Sequence, residues 1–373
     1  MKPKTMLKLD WWAYPLYSLV LLWQRLFYSK AATAPVGETI VIKMMGIGSI
    51  TRIVETLRQN RADLSRVHFL TFQANRELCE LLEIPNVYYL SDESLSAFAK
   101  SCYDNIKKLR QLKASQIIDF ERTSNLLGVF RLMLTAATST GTVSFYDIPI
   151  DQDKGLHKRF SLRGRSINDL ICLSLNYITQ LDALPAQVAK TFTNREEILV
   201  NINASDYLPQ RKYPPRYFAK VIEGLLKEYP MTDIHLMGSG NERAYVQDFI
   251  DAYFRGVNNI VNCCGQWNLH ELAERLASTR LLITNDSGPM HLAVKMKTKT
   301  VAIWGPTSPA IFGYMNNPAV INLESAVDGP RFIHPKSLRS LSQSGHIHWM
   351  EDIEPKQVVD AALSLLTKQP ATV

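Results

Sequence analysis

Apolar positions along the chain fall into two repeating series. From residue 39 onward, short β-branched and aliphatic runs alternate with stretches whose apolar residues recur every three or four positions. The first series predicts strands over 39–45, 67–71, 86–90 and 116–120. Helices are expected through residue 58 after the glycine-rich 46–49, and over 75–82, 94–112, 124–135 and 168–181. The pattern then restarts with strands over 197–202, 233–237, 260–262, 281–285 and 300–304, separated by helices over 215–228, 243–254, 269–278 and 289–297. Strands and helices alternating at this pitch predict an α/β architecture, a parallel sheet covered on both faces. Two such doubly wound series, joined near 183–195, are expected to face a central cleft, with ligands beyond the carboxyl ends of the strands. A last helix over 355–366 has no strand after it and is expected to pack back across the domains. The expected divisions are 1–34, 35–185, 186–350 and 351–373.

The amino-terminal division follows a different pattern. Residues 11–24 carry no charge, with Lys2, Lys4 and Lys8 before them and Arg25 and Lys30 after. That run is shorter than the roughly 20 residues a spanning helix needs. Its core, interrupted by Trp and Tyr, makes a poor signal peptide. Trp12, Leu16, Leu19, Trp23 and Leu26 recur at spacings of four and three, which makes one apolar stripe on a helix. Trp and Tyr favour the headgroup level of a bilayer, and flanking Lys and Arg suit anionic lipid. Residues 11–28 are therefore expected to lie on the cytoplasmic face of the inner membrane, as a peripheral or monotopic helix. The alternatives are packing on the protein's own body and a short spanning anchor. Residues 31–37 read as a small-residue linker.

Composition narrows the partners. The 373 residues are 46% hydrophobic and 21% charged, a globular balance that suits two domains of ordinary size. A formal charge of +7 favours something acidic: an anionic membrane surface or a phosphorylated substrate. Nucleic acid ranks last, because Lys and Arg are scattered without a basic run. Five cysteines, Cys79, Cys102, Cys172, Cys263 and Cys264, form no CxxC pair and no cluster with His. The odd count argues for a reducing compartment, and Cys263–Cys264 reads as the end of a buried strand. No metal set and no resident cofactor are expected, and the oligomeric state is left open.

The sharpest candidate chemistry lies in Ile283-Thr284-Asn285-Asp286-Ser287-Gly288-Pro289-Met290-His291. An apolar strand ends at Asn285 and a helix opens at Pro289, a residue suited to the first helical position. Asp286 or Ser287 is placed to cap, and Gly288 lets a ligand approach the backbone. Free N–H groups and the positive helix end then suit a diphosphate, with His291 in the first turn. An ordinary strand–turn–helix with a good cap is the rival reading.

This segment, with Val301-Ala302-Ile303-Trp304-Gly305-Pro306-Thr307 after it, resembles the signature of glycosyltransferase family 9, the heptosyltransferase family. The resemblance extends over most of 38–312. It includes Gly46-Ile47-Gly48, Arg211-Lys212-Tyr213-Pro214, Gly238-Ser239-Gly240-Asn241-Glu242 and Gly265-Gln266-Trp267-Asn268-Leu269. It implies a GT-B fold of two Rossmann-like domains, the first for the acceptor and the second for a nucleotide-sugar donor. It also implies an inverting, metal-independent sugar transfer to a glycolipid such as lipopolysaccharide. By the same analogy Asp286, Ser287, Gly288 and His291 hold the donor's diphosphate and sugar. Lys212, or Arg211 beside it, offsets charge on the departing phosphate; Glu242 accepts from ribose hydroxyls; and Trp267 reads the nucleobase.

The chain departs from the family in its first glycine-rich loop. The family has there an Asp thought to deprotonate the acceptor, where this chain has Ser49. A hydroxyl is a poor base at neutral pH, so Ser49 is expected to be a helix N-cap. Either another carboxylate is the base, with Glu121 preferred over Asp119 and Arg122 tuning it or binding an acidic acceptor, or catalysis is lost and binding kept. A non-hydrolysing nucleotide-sugar epimerase is a further alternative.

Overall fold

The computed structural model describes residues 37–44, 46–59, 62–114, 116–120, 141–146, 152–153, 157–161, 196–204, 208–329 and 347–367. The chain divides into two compact units, Met1–Gln187 and Val188–Val373. The expected helices over 11–28, 124–135 and 168–181 lie outside the described residues. Among the described residues, no helix is long and apolar enough to cross a membrane.

The first unit runs β1 (Thr39–Ile42), α1 (Ile47–Gln59), β2 (Val67–Phe72), α2 (Arg76–Leu81), β3 (Asn86–Leu90), α3 (Leu95–Gln111) and β4 (Gln116–Asp119). Three further strands follow: β5 (Gly141–Tyr146), β6 (Gln152–Asp153) and β7 (His157–Ser161). The sheet order is β3-β2-β1-β4-β5-β7-β6, parallel throughout except where β6 meets β7. Alternation along β1 sends Ile40 and Ile42 to one face, where they pack with Leu70, Phe72 and Leu90 under Phe98, Ile106 and Leu109 of α3. Right-handed crossovers put α1 and α2 on the opposite face, because the chain steps outward from β1 to β3 and then returns to β4. The sequence reading missed β5 to β7. His157-Lys158-Arg159-Phe160-Ser161 has a single large apolar residue, and β6 is only a two-residue edge.

The second unit runs β8 (Ile198–Asn201), α4 (Pro215–Glu228), β9 (Ile234–Leu236), α5 (Arg243–Tyr253), β10 (Ile260–Asn262) and α6 (Leu269–Ser278). It continues with β11 (Leu281–Asn285), α7 (Gly288–Lys295), β12 (Thr300–Trp304), α8 (Pro309–Phe312), β13 (Val320–Glu324) and α9 (Pro355–Thr367). Its sheet, β10-β9-β8-β11-β12-β13, is wholly parallel. The strand β13 was not expected. Ile198, Val200, Ile283, Val301 and Ile303 build one core face against Phe218, Ile222 and Leu225 of α4 and Val358, Ala362 and Leu365 of α9. The last helix thus packs within this unit, on α4 and along β11 and β12. The strand order reverses between β8 and β11, the switch point where such sheets open to ligand.

At the opposite, amino end of β8 a buried charge cluster holds this sheet to α6. Glu197 accepts from Arg275 Nη1 at 2.8 Å, and its Oε2 lies 2.9 Å from His235 Nδ1. Burial pushes the Glu197 carboxyl up, but hydrogen bonding and charge from His235, then Arg275, outweigh it and hold it below the ordinary value. A folded value below the unfolded one, about 4.3, stabilises fully above that pH and fades as pH falls through the folded value. Glu197→Gln leaves Arg275 half-buried without its carboxylate. It is expected to lower unfolding stability by about 3–5 kcal/mol at neutral pH, read by urea denaturation. The gap to wild type should shrink below about pH 4; a variant as stable as wild type at pH 7 contradicts the assignment.

Candidate functional site

The switch point of the second sheet is floored by asparagines. Asn201, the last residue of β8, donates through Nδ2 to Thr284 Oγ1 at 3.2 Å and to Ser287 Oγ at 3.0 Å. Its own Oδ1 accepts from the Asn203 backbone N–H at 3.1 Å. Asn203 Nδ2 reaches the Met237 carbonyl at the end of β9 (3.0 Å), and Asn285 Nδ2 reaches the Asn203 carbonyl (3.1 Å). Asn285 Oδ1 accepts from the Tyr213 N–H at 3.0 Å. Every loop at this edge of β8, β9 and β11 is therefore tied to its neighbour by buried hydrogen bonds, each costly to leave unmade. Tyr213 anchors the approach to α4, its hydroxyl donating to the Ile353 carbonyl at 2.6 Å.

Above that floor begins α7. Ser287 stands at its N-cap in an extended conformation, φ −153° and ψ 168°, but makes no side-chain cap. Its hydroxyl is turned down to Asn201 and Thr284, the latter at 3.1 Å. The expected Asp286 or Ser287 cap is thus corrected, and so is the start, which lies at Gly288 instead of Pro289. The reason is competition: Asn201 and Thr284 supply hydroxyl partners closer to hand than the helix N–H groups. The N-cap side chain therefore leaves the positive helix end uncapped, and the first-turn N–H groups have no intrahelical partner.

Asp286 precedes this helix start by two residues, and its carboxylate charge would repel a phosphate nearby were it not paired. Arg211 Nη1 lies 3.4 Å from Asp286 Oδ2, with side chains 17% and 6% exposed. Arg211 sits on the turn Pro209–Arg211 leading into α4, and its buried Nε has no protein partner. Lys212 next to it holds its ammonium 5.1 Å from the Tyr245 ring. Asn203 Oδ1 and Thr307 Oγ1 are likewise buried without a hydrogen-bond partner. Unspent polar atoms on the loops after β8 and β12 suit a polar ligand.

His291 is buried in the first turn of α7, and its Nδ1 lies 3.0 Å from the Tyr314 hydroxyl with the rings edge to face. Tyr314 was invisible to sequence reading because 23 residues separate the pair. Donation by Tyr314 to Nδ1 favours the tautomer protonated at Nε2. Tyr314→Phe is expected to weaken the binding of a diphosphate probe at this helix start about three- to tenfold, by titration calorimetry, with the fold unchanged. Equal affinity would remove Tyr314 from the site.

Glu242 has a structural task. Its Oε2 accepts from the Ser239 N–H at 2.7 Å and hydroxyl at 2.8 Å, which closes a capping box. The loops after β9 and β10 touch backbone to backbone: a Cβ on Gly265, at φ +71°, would lie 2.7 Å from Gly240 Cα. Trp267 is covered by the Arg275 guanidinium at 4.9 Å and tilts against His235 at 6.3 Å. These contacts tie it to the buried Glu197 cluster, and no described contact joins it to the Asp286 loop. Burial raises the Cys263 thiol to about 11 and Cys264 to about 12, so neither is a nucleophile near neutrality. Among the described residues no group of three or more His, Cys, Asp or Glu could hold a metal ion.

In the first unit, Gly46 has φ +96° and its carbonyl accepts from the Ile50 N–H at 3.1 Å. The helix α1 therefore opens at Ile47, and Ser49 lies inside the first turn, not at the N-cap, with Gly48 buried beside it. Asp119 is the last residue of β4, paired with Ile42 and 3% exposed. Glu121 and Arg122 lie outside the described residues.

Comparison with known proteins bears on both units. Residues 174–341 match the model of glycosyltransferase family 9 (heptosyltransferase). The chain is similar to lipooligosaccharide heptosyltransferase 2 of Campylobacter jejuni, 28% identical over 176 residues, 46% of this chain and 52% of that protein. It spans about half the length of the curated relatives it matches. Among solved structures, a family 9 glycosyltransferase from Veillonella parvula superposes with a TM-score of 0.64 at 18% identity, covering 91% of this chain and all of that one. The ADP-heptose lipopolysaccharide heptosyltransferase II of Escherichia coli gives 0.61 at 16% identity, covering 88% and 98%. Likeness at that identity shows a shared fold, two parallel α/β units of the GT-B type.

Proposed function

We propose that the chain is a glycosyltransferase of family 9, whose model matches residues 174–341, and that it transfers a sugar from a nucleoside diphosphate to a lipopolysaccharide-type acceptor. The observation that supports the reading most is the start of α7, bare of any side-chain cap and flanked by the Arg211–Asp286 pair. As the glycosidic bond to phosphate breaks, negative charge grows on the departing diphosphate. Fixed N–H dipoles and the Arg211 and Lys212 cations stabilise that charge without reorganising. Asp286 holds Arg211 in place, His291 donates through Nε2, and Glu242, whose Oε2 closes the capping box, accepts from the ribose through its other oxygen. A single displacement by an acceptor hydroxyl inverts the anomeric carbon, with no resident cofactor or metal in the scheme. Residues 11–28 hold the protein on the cytoplasmic face of the inner membrane, where such an acceptor is presented. The curated relatives, named as heptosyltransferases, suggest ADP-heptose as the donor to test first.

Ser49 favours a second reading, a protein that binds nucleotide sugar without turnover. Incubation with nucleotide sugars and core-truncated lipopolysaccharide, followed by mass spectrometry of the lipid, separates the two. Transfer requires an acceptor heavier by one sugar residue and release of nucleoside diphosphate; donor binding with no change in acceptor mass supports the second reading and contradicts the first.

A further inference from the structure

Helix α3 presents a face that neither the nucleotide site nor residues 11–28 explain. Its inner side is spent on the core: Phe98, Ile106 and Leu109 pack on the sheet, and Asn105 Nδ2 donates to the Tyr89 carbonyl at 2.8 Å. Its outer side carries Lys100, Tyr103, Lys107 and Arg110, all exposed. At about 100° per residue these positions fall within an arc of about 80°, one straight stripe along the helix. Tyr103, in the middle of the stripe, is 70% exposed, and Leu95 at the helix start is 55% exposed. Lys108 and Lys113 flank the stripe, while Asp104 is the only acid within α3.

Two ordinary explanations fall short. Cations in the last turn complement the helix dipole, which covers Lys108 and Arg110 but not Lys100, two turns earlier. Asp104 stands four residues from both Lys100 and Lys108, but one acid about 40° to the side of the stripe offsets only part of its charge, and the stripe itself alternates cations with an exposed aromatic ring. The acidic Glu77, Glu80 and Glu83 belong to the α2 segment, on the opposite face of the sheet.

We propose that this outer face of α3 docks on an anionic lipid bilayer. Four lysines and one arginine over residues 100–113 against one aspartate give the charge complementarity. A convex helix meets a plane along a line, the shape of the stripe. Tyr103 sits where a ring would enter the headgroup layer while the ammonium groups contact lipid phosphates. The surface is independent of the nucleotide site and adds a second contact to that proposed for residues 11–28.

The test is co-sedimentation of the full chain with vesicles of phosphatidylcholine alone and of phosphatidylcholine mixed equally with phosphatidylglycerol. The triple variant Lys100→Glu, Lys107→Glu, Arg110→Glu is expected to bind the anionic vesicles at least about tenfold more weakly. Its melting temperature and its response to nucleotide should match wild type, because all three side chains are exposed on the outer side of α3. Tyr103→Ser should weaken binding mainly at high salt, where the charges are screened. Anionic-vesicle binding by the triple variant equal to wild type overturns the proposal. So does loss of single-stranded RNA binding with vesicle binding intact, which would make the stripe a nucleic-acid surface. Loss of nucleotide response in wild type would instead strike the proposed function and leave this surface standing.

Discussion

Arg211→Ala is expected to weaken nucleoside diphosphate binding by about 10²–10³-fold. Two effects add. The guanidinium facing the helix start disappears, and the Asp286 carboxylate, 6% exposed, loses its counter-ion where a diphosphate should sit. A buried charge stripped of its partner is costly, and here the cost falls on the ligand as repulsion. Arg211→Lys should recover only part of the loss, since an ammonium lacks the forked donors of a guanidinium. The double variant Arg211→Ala, Asp286→Asn should bind more tightly than Arg211→Ala alone, because the repelling charge is gone. Titration calorimetry on wild type, Arg211→Ala, Asp286→Asn and the double variant makes a double-mutant cycle. Additive losses would mean that the 3.4 Å pair does not act as a unit.

Glu121→Gln is expected to lower turnover by about 10²–10⁴-fold while donor affinity stays within a factor of about two. Ser49 stands where the family has its acid, and a hydroxyl cannot hold a proton from the acceptor at neutral pH. Asp119 ends β4 and is only 3% exposed, which shields its carboxylate from an acceptor. Glu121 comes two residues later. Asp119→Asn is the control: it should cost stability first, seen as a lower melting temperature, and activity only through folding. Near-normal turnover by Glu121→Gln would remove that residue from the chemistry.

The periodic elements were legible in the sequence because their apolar spacing is regular. The strands at Leu281–Asn285 and Thr300–Trp304 and the helices at Pro215–Glu228 and Leu269–Ser278 lie where the pattern puts them. What failed was local chemistry decided by distant partners. Ser287 sits at an N-cap, as its residue type predicts, yet its hydroxyl serves Asn201, 86 positions away. The asparagine floor has no motif spacing, since Asn201, Asn203 and Asn285 meet only once β8 and β11 pair. Tyr314 reaches His291 through the α8–β13 connection. Glu242 was open to a better reading: Ser239-Gly240-Asn241-Glu242 has the spacing of a capping box, and that is the bond it makes. Of the missed strands, β5 carries a short alternation at Thr142-Val143-Ser144-Phe145 that was open to reading, whereas β6 and β7 are too short or too polar to show one.

The most direct test of the central claim is calorimetric titration of the wild-type protein with adenosine, uridine and guanosine diphosphates and their monophosphates. A diphosphate gripped by the bare start of α7 and by Arg211 should bind at least about tenfold more tightly than its monophosphate, whose second phosphate contact is missing. Equal affinity for mono- and diphosphates, or no binding of any diphosphate, would contradict the account.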